Sequence, residues 1–160
     1  MTGKTKKAVA VVAVMLAACL ALLELMRHEH RYKGPSHFPK ATWVSAGSAD
    51  PLSALETACW AGVHGDGKTM LASLTPDMQA PLQKAWAKAA KAQGITLEDF
   101  FASRAQGVFQ WVLGFRVLDL QALNDHEALV HVYIQGLWHK ATFKMRKVDG
   151  EWKVADVKWR

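Results

Sequence analysis

Disulfide chemistry is nearly absent from this 160-residue chain, which has two cysteines, Cys19 and Cys59, and no CxxC or Cys/His spacing. That excludes a disulfide-stapled scaffold and a finger-type zinc module. Acidic side chains are fewer than basic ones, 14 against 20, but the resulting charge of +6 is unevenly placed. Residues 1–40 hold seven Lys or Arg and two Glu, an excess of +5; residues 41–160 hold 13 basic and 12 acidic groups, which leaves +1. The part long enough to fold therefore lacks the basic stripe that a phosphate backbone requires, and nucleic acid is not an expected partner. Internal repeats and low-complexity tracts are also missing. No metal, no cofactor and no catalytic set is expected from the residues alone.

What is present starts at the N-terminus. Lys4, Lys6 and Lys7 precede Ala8–Leu23, sixteen apolar residues without a charge. As a helix this run measures about 24 Å against the ~30 Å of a hydrocarbon core, and continuing past Glu24 through Met26 it just spans. Three readings stay open: an uncleaved membrane anchor, a lipoprotein signal, or a cleaved secretory signal. Leu16-Ala17-Ala18-Cys19 is similar to a bacterial lipobox, which would make Cys19 a lipidation site. Against it, Leu20–Leu23 continues apolar where a mature lipoprotein carries a polar tether. Charges first and apolar run second place the domain outside the cytoplasm, periplasmic or at the cell surface, and attached to the membrane. Residues 1–33 are read as the anchor or signal segment, and His28-Glu29-His30 as part of a headgroup-level basic cluster rather than a metal site. Residues 34–49, with Pro35, Pro39 and Gly47, read as a linker; Phe38 and Trp43 can dock on the domain or at the membrane interface.

From residue 50 the pattern is helical. Asp50-Pro51 is a cap followed by proline at the first helical position, and Leu52, Leu55, Cys59 and Val63 recur at helical spacing, so a helix is expected over 51–63 with Trp60 at its edge. Gly65-Asp66-Gly67 ends it, and a short helix through Met70, Leu71 and Leu74 follows. Thr75-Pro76 starts another. Pro81 predicts a single turn over 76–80 and a separate helix over 81–92, with Leu82, Ala85, Trp86 and Ala89 as its buried stripe, closed by Gly94. Thr96 and Asp99 form a capping-box variant before a short helix through Phe100 and Phe101. After Gly107 the period changes to two. Strands are expected near 117–120, 128–135, 140–148 and 152–159, with turns at Asn124-Asp125-His126 and Asp149-Gly150. The fold class is α+β: an N-terminal membrane helix, then three to four helices packed on a curved antiparallel sheet, the domain covering 50–160.

That order of elements, with the closing Phe143–Val154 hairpin and Asp66 ahead of Leu71 and Leu74, resembles the nuclear-transport-factor-2-like (cystatin-like, cone-shaped) superfamily. The resemblance implies a cone-shaped fold. The superfamily holds isomerases, dehydratases, ligand binders and assembly scaffolds, so no activity follows from it. A scaffold role would resemble the bitopic inner-membrane components of type IV secretion systems.

One motif matches a phosphate loop in form: Gly62-Val63-His64-Gly65-Asp66-Gly67-Lys68-Thr69 fits G-x-x-x-x-G-K-T. That chemistry needs a buried strand before the loop and a parallel sheet beneath it, whereas the residues before Gly62 are helical; an interhelical turn is expected. Strand alternation places Leu118/Leu120/Ala122, Val130/Val132/Ile134 and Ala141/Phe143/Met145 toward the helices. Asp119, Gln121, His131, Tyr133, Lys140, Thr142, Lys144 and Arg146 then fall on the opposite face. Trp60, Trp86 and Trp111 are expected in the core, and Trp138, Trp152 and Trp159 at a pocket mouth or interaction surface. The candidate binding residues are His131, Tyr133, Trp138 and Trp152. Two function classes follow: a non-catalytic binding or scaffold domain engaging a small apolar ligand, a protein partner or a second copy of itself; or an isomerase- or dehydratase-like enzyme using His131, Tyr133 or Asp99. The strand register of His131 discriminates between them.

Overall fold

The computed structural model describes residues 37–160. The order is a short edge strand β1 (His37–Pro39), helices α1 (Pro51–His64), α2 (Gly67–Ala72), α3 (Pro76–Ala89) and α4 (Leu97–Phe109), then strands β2 (Gly114–Asn124), β3 (Glu127–Gln135), β4 (His139–Val148) and β5 (Glu151–Trp159). The five strands form one antiparallel sheet in sequence order, with the four helices packed against it. Among the described residues no helix is long and apolar enough to cross a membrane. Ala8–Met26, Cys19 and the cluster at His28 lie outside those residues.

The helix starts follow local chemistry. Asp50 accepts from the Leu52 and Ser53 amides at 2.9 and 3.0 Å, Pro51 sits in the first turn, and Gly65 ends α1 in the left-handed conformation. Asp66 caps α2 through the Thr69 amide at 2.9 Å, and that bond holds its carboxyl below the usual carboxylate range. Replacing Asp66 with alanine is expected to cost about 1 kcal/mol near neutral pH in urea unfolding. The depressed pKa sets the sign: this contribution is present above the ordinary carboxylate range and fades as pH falls through the folded value. The gap between wild type and variant therefore closes in acid.

Pro81 does not divide its segment. α3 runs unbroken from Pro76 to Ala89 with the proline inside. The missing amide and the ring leave the Asp77 carbonyl without its helical partner, and that carbonyl lies in an exposed first turn where water can serve it. Ala85 and Ala89 are exposed, and Leu82 and Trp86 only half-buried, so the expected stripe is not buried. Thr75 starts α3 without capping it; the residue is 1% exposed and its buried hydroxyl is unpartnered among the described residues. The last helix, α4, runs about two turns longer than its Phe100–Phe101 start suggested.

Three irregularities of register bend the sheet, one of them an extra Leu123 between the pairs Ala122–Ala128 and Asn124–Glu127. Leu118 is an extra residue between the pairs Val117–Val132 and Asp119–His131, and Ala155 is extra between Lys144–Asp156 and Met145–Val154. A bulge bends its strand and resets which face the following residues take. Phe115 and Val117 point inward before the first bulge and Leu120 after it, while Leu118 is exposed, contrary to simple alternation. At the other hairpin, Asp149 and Gly150 both have positive φ, 53° and 86°, the two-residue turn that matches strand twist.

The segment expected to be a linker is part of the fold. His37–Pro39 pairs with Arg116–Gly114, and Trp43 is 5% exposed, its indole donating to the Phe38 carbonyl at 3.0 Å and packing on Phe109 and Phe115. Phe38 stacks on Phe115 at 4.8 Å. Both aromatics dock on the domain. Trp111 departs from expectation in the other direction, exposed just past the end of α4.

Candidate functional site

The inner face of the sheet and the helices enclose a cavity of about 400 Å³. β3, β4 and β5 contribute its floor through Val132, Ile134, Phe143, Val154 and Val157, because alternation about the bulges turns these residues toward the helices. α1 contributes Leu55 and Cys59, α4 contributes Phe101, Ala105, Val108 and Phe109, and Trp43 and Phe115 close one end. The remaining side belongs to α3, through Met78, Pro81 and Leu82.

This helix explains why a space remains. None of its residues is fully buried, and Met78 and Leu82 pack on the core only in part. Polar tethers hold it there. Gln79 donates to the Leu71 and Leu74 carbonyls at 2.8 and 3.1 Å, the Trp86 indole donates to the Ile95 carbonyl at 2.8 Å, and Arg146 reaches Asp77 at 3.3 Å.

Among the described residues no Asp, Glu, His, Lys, Arg, Ser, Thr or Tyr contributes to the cavity wall. The heteroatoms there are the sulfurs of Cys59, Met70 and Met78 and the indoles of Trp43 and Trp159, and the Trp43 donor is already engaged. Burial, with a smaller push from Glu56, raises the Cys59 thiol to about 12, so it is a neutral apolar group and not a nucleophile. In a Cys19→Ala background the native protein is expected to leave a thiol reagent unreacted at about pH 8, and to react fully once unfolded. Rapid reaction of the folded protein would contradict the placement of Cys59. Titration has a matching sign: the raised folded pKa makes the thiol's contribution fall as pH climbs from 9 toward 12.

None of the four candidate binding residues lines this cavity. His131 and Tyr133 lie half-buried on the outer face of β3. The His131 Nδ1 sits 2.9 Å from the Thr142 hydroxyl, and its cross-strand neighbours are Asp119 and Thr142. Tyr133 lies between Arg116 and Lys140. Trp138 occupies the β3–β4 turn at positive φ and is exposed. Trp152 is buried in the core, the reverse of a pocket-mouth position, and its amide donates to the Ser48 carbonyl at 2.9 Å. Asp99 is consumed by the cap of α4, exchanging hydrogen bonds with Thr96 at 2.7 and 3.0 Å. Among the described residues no group of three or more His, Cys, Asp or Glu is placed to hold a metal ion.

The lining residues that sequence reading passed over are Met70, Met78, Phe101, Val108 and Leu137. A signal for one of them was present: Met78 lies one turn before Leu82, both apolar on a helix otherwise rich in Ala, Lys and Gln.

By fold and site, the protein is an α+β domain with an apolar cavity between its helices and its sheet. No family model matches the chain, and no curated protein matches it.

Proposed function

We propose that this chain is a membrane-anchored, extracytoplasmic binding domain that holds a small apolar ligand between its helices and sheet and does no chemistry on it. The nuclear-transport-factor-2-like resemblance is compatible with that role. The observation that carries the reading is the wholly apolar wall of a 400 Å³ cavity. Water needs two to four polar partners to occupy such a space, and this wall offers almost none. Left empty, it would forgo roughly 24 cal/mol of packing per Å³, on the order of 10 kcal/mol and comparable with the net stability of a domain. The mouth opens to solvent, so that figure is a ceiling, but it favours an occupant. An isomerase or dehydratase would need an acid or base within reach of its substrate. His131, Tyr133 and Asp99 are each oriented or engaged elsewhere.

The test is native mass spectrometry of fragment 32–160, the compact unit that carries every described element. Mass that leaves on denaturation identifies the ligand. A ligand-free mass, together with no uptake of an apolar dye such as N-phenyl-1-naphthylamine, overturns the reading. A dimer with an empty cavity points instead to the scaffold role.

A further inference from the structure

Three of the seven tryptophans are exposed at one end of the sheet. They are Trp111, Trp138 and Trp159, at 65%, 79% and 55% exposure, joined there by Leu113 at 66%. The register shows that this is a single end. Pro39 pairs with Gly114 and Gly114 with Gln135; β4 starts at His139 opposite Ile134, and Trp159 pairs with Ala141. Backbone bonds knit the same row: Lys40 to Leu113, Leu113 to Gln135 and Arg160 to Lys140.

The charge at this end is of one sign. Arg116, Lys140, Lys158 and Arg160 are exposed, and the segments 37–40, 106–116, 133–141 and 157–160 contain no Asp or Glu. The turns at the opposite end carry Asp125, Glu127, Asp149 and Glu151. The cavity reaches the cationic end, since Val108, Leu137 and Trp159 belong to its wall and two of these are exposed. β1 reaches this end at Pro39, two residues after His37. Ten residues separate His37 from Met26, the end of the apolar run, a reach of at most about 40 Å.

We infer that this end of the domain rests on an anionic lipid surface, with Trp111, Trp138 and Trp159 at headgroup depth and the cavity mouth facing the bilayer. Indole rings favour the membrane interface, and lysine and arginine beside them favour anionic headgroups. An acidic protein would meet the same cationic rim, and the short reach from the apolar run is what favours the lipid surface. The cavity's ligand on this view is a lipid chain taken up directly from the bilayer. The inference rests on the anchored reading above.

The full chain, with Cys19→Ala, is reconstituted in vesicles of phosphatidylcholine and phosphatidylglycerol. An environment-sensitive nitrobenzoxadiazole label is placed on Leu113→Cys or, at the opposite end, on Leu123→Cys. Both positions are exposed, and buried Cys59 stays unlabelled. The label at 113 is expected to shift to the blue and to be quenched several-fold more by headgroup spin-labelled lipid than the label at 123. Lys140→Glu with Lys158→Glu should weaken that contact by roughly tenfold or more, from about fivefold per basic side chain. High salt should weaken it in the same direction. Equal quenching at the two positions overturns the inference. If the protein floats with the vesicles while the label at 113 stays in water, only the docking fails. If it does not float with them, the anchored reading fails and the docking with it.

Discussion

Alanine at Gly67 is expected to lower the stability of the domain by about 2–4 kcal/mol, the range of an overpacked or backbone-displacing core change. Gly67 opens α2 and is buried, and a Cβ there would overlap the Glu98 carbonyl in the first turn of α4. A flexible side-chain tip could move aside cheaply. A helical carbonyl cannot, so α2 or α4 must shift. The displacement would pass to Phe101 and Ala105 on α4 and therefore to the cavity wall. Gly94 is the control: it has positive φ but open space around it, so Gly94→Ala is expected to cost only about 1 kcal/mol. Urea midpoints of the two variants compare them directly. A Gly67→Ala protein as stable as wild type would mean that the α2–α4 contact is looser than described. The same contact accounts for the phosphate-loop look-alike. Gly62 lies inside α1 against the Phe109 ring, Gly67 lies against the Glu98 carbonyl, and both glycines of the motif serve close packing on α4.

Filling the cavity should separate binding from folding. Ala105→Phe places a ring from α4 into space now bounded by apolar groups, so folding is expected to be unharmed or slightly improved, within about 1 kcal/mol. Uptake of N-phenyl-1-naphthylamine should fall by at least tenfold, because the ring occupies volume the ligand needs. The pairing of outcomes is informative. Lost uptake with an unchanged melting temperature supports a ligand cavity. Unchanged uptake would place the dye elsewhere on the surface and remove the main support for the proposed function. A variant that unfolds would show that the space cannot accept a ring, and Ala105→Leu then makes the same test with less volume.

Much of the architecture was legible because it is written in local chemistry. Asp50-Pro51, Asp66 and Thr96 each mark a helix start by satisfying amides that the helix cannot, and Asp149-Gly150 marks a hairpin by allowing two residues of positive φ. The inward register of β3 and β4 followed from alternation and held at every position named, which put His131 and Tyr133 on the outer face. Alternation failed at Leu118 for a physical reason. A bulge adds a residue to one strand only, and whether it forms depends on the curvature the whole sheet needs.

The candidate site was much less legible. Trp152 and Trp111 exchanged their expected environments, since indole suits a core, a rim or an interface and its type does not choose among them. Residues 34–49 carry loop chemistry, yet Phe38 and Trp43 dock on the domain and Trp43 lines the cavity, because packing on Phe109 and Phe115 outweighs weak local preference. By itself, the sequence determined the α+β class, the helix starts, the antiparallel hairpins and the faces of the middle strands, all consequences of interactions within a few residues. The cavity was decided by tertiary structure alone. It exists because the apolar residues of α3, Met78 and Leu82, are only partly buried against the core, and a space between elements belongs to no single stretch of chain.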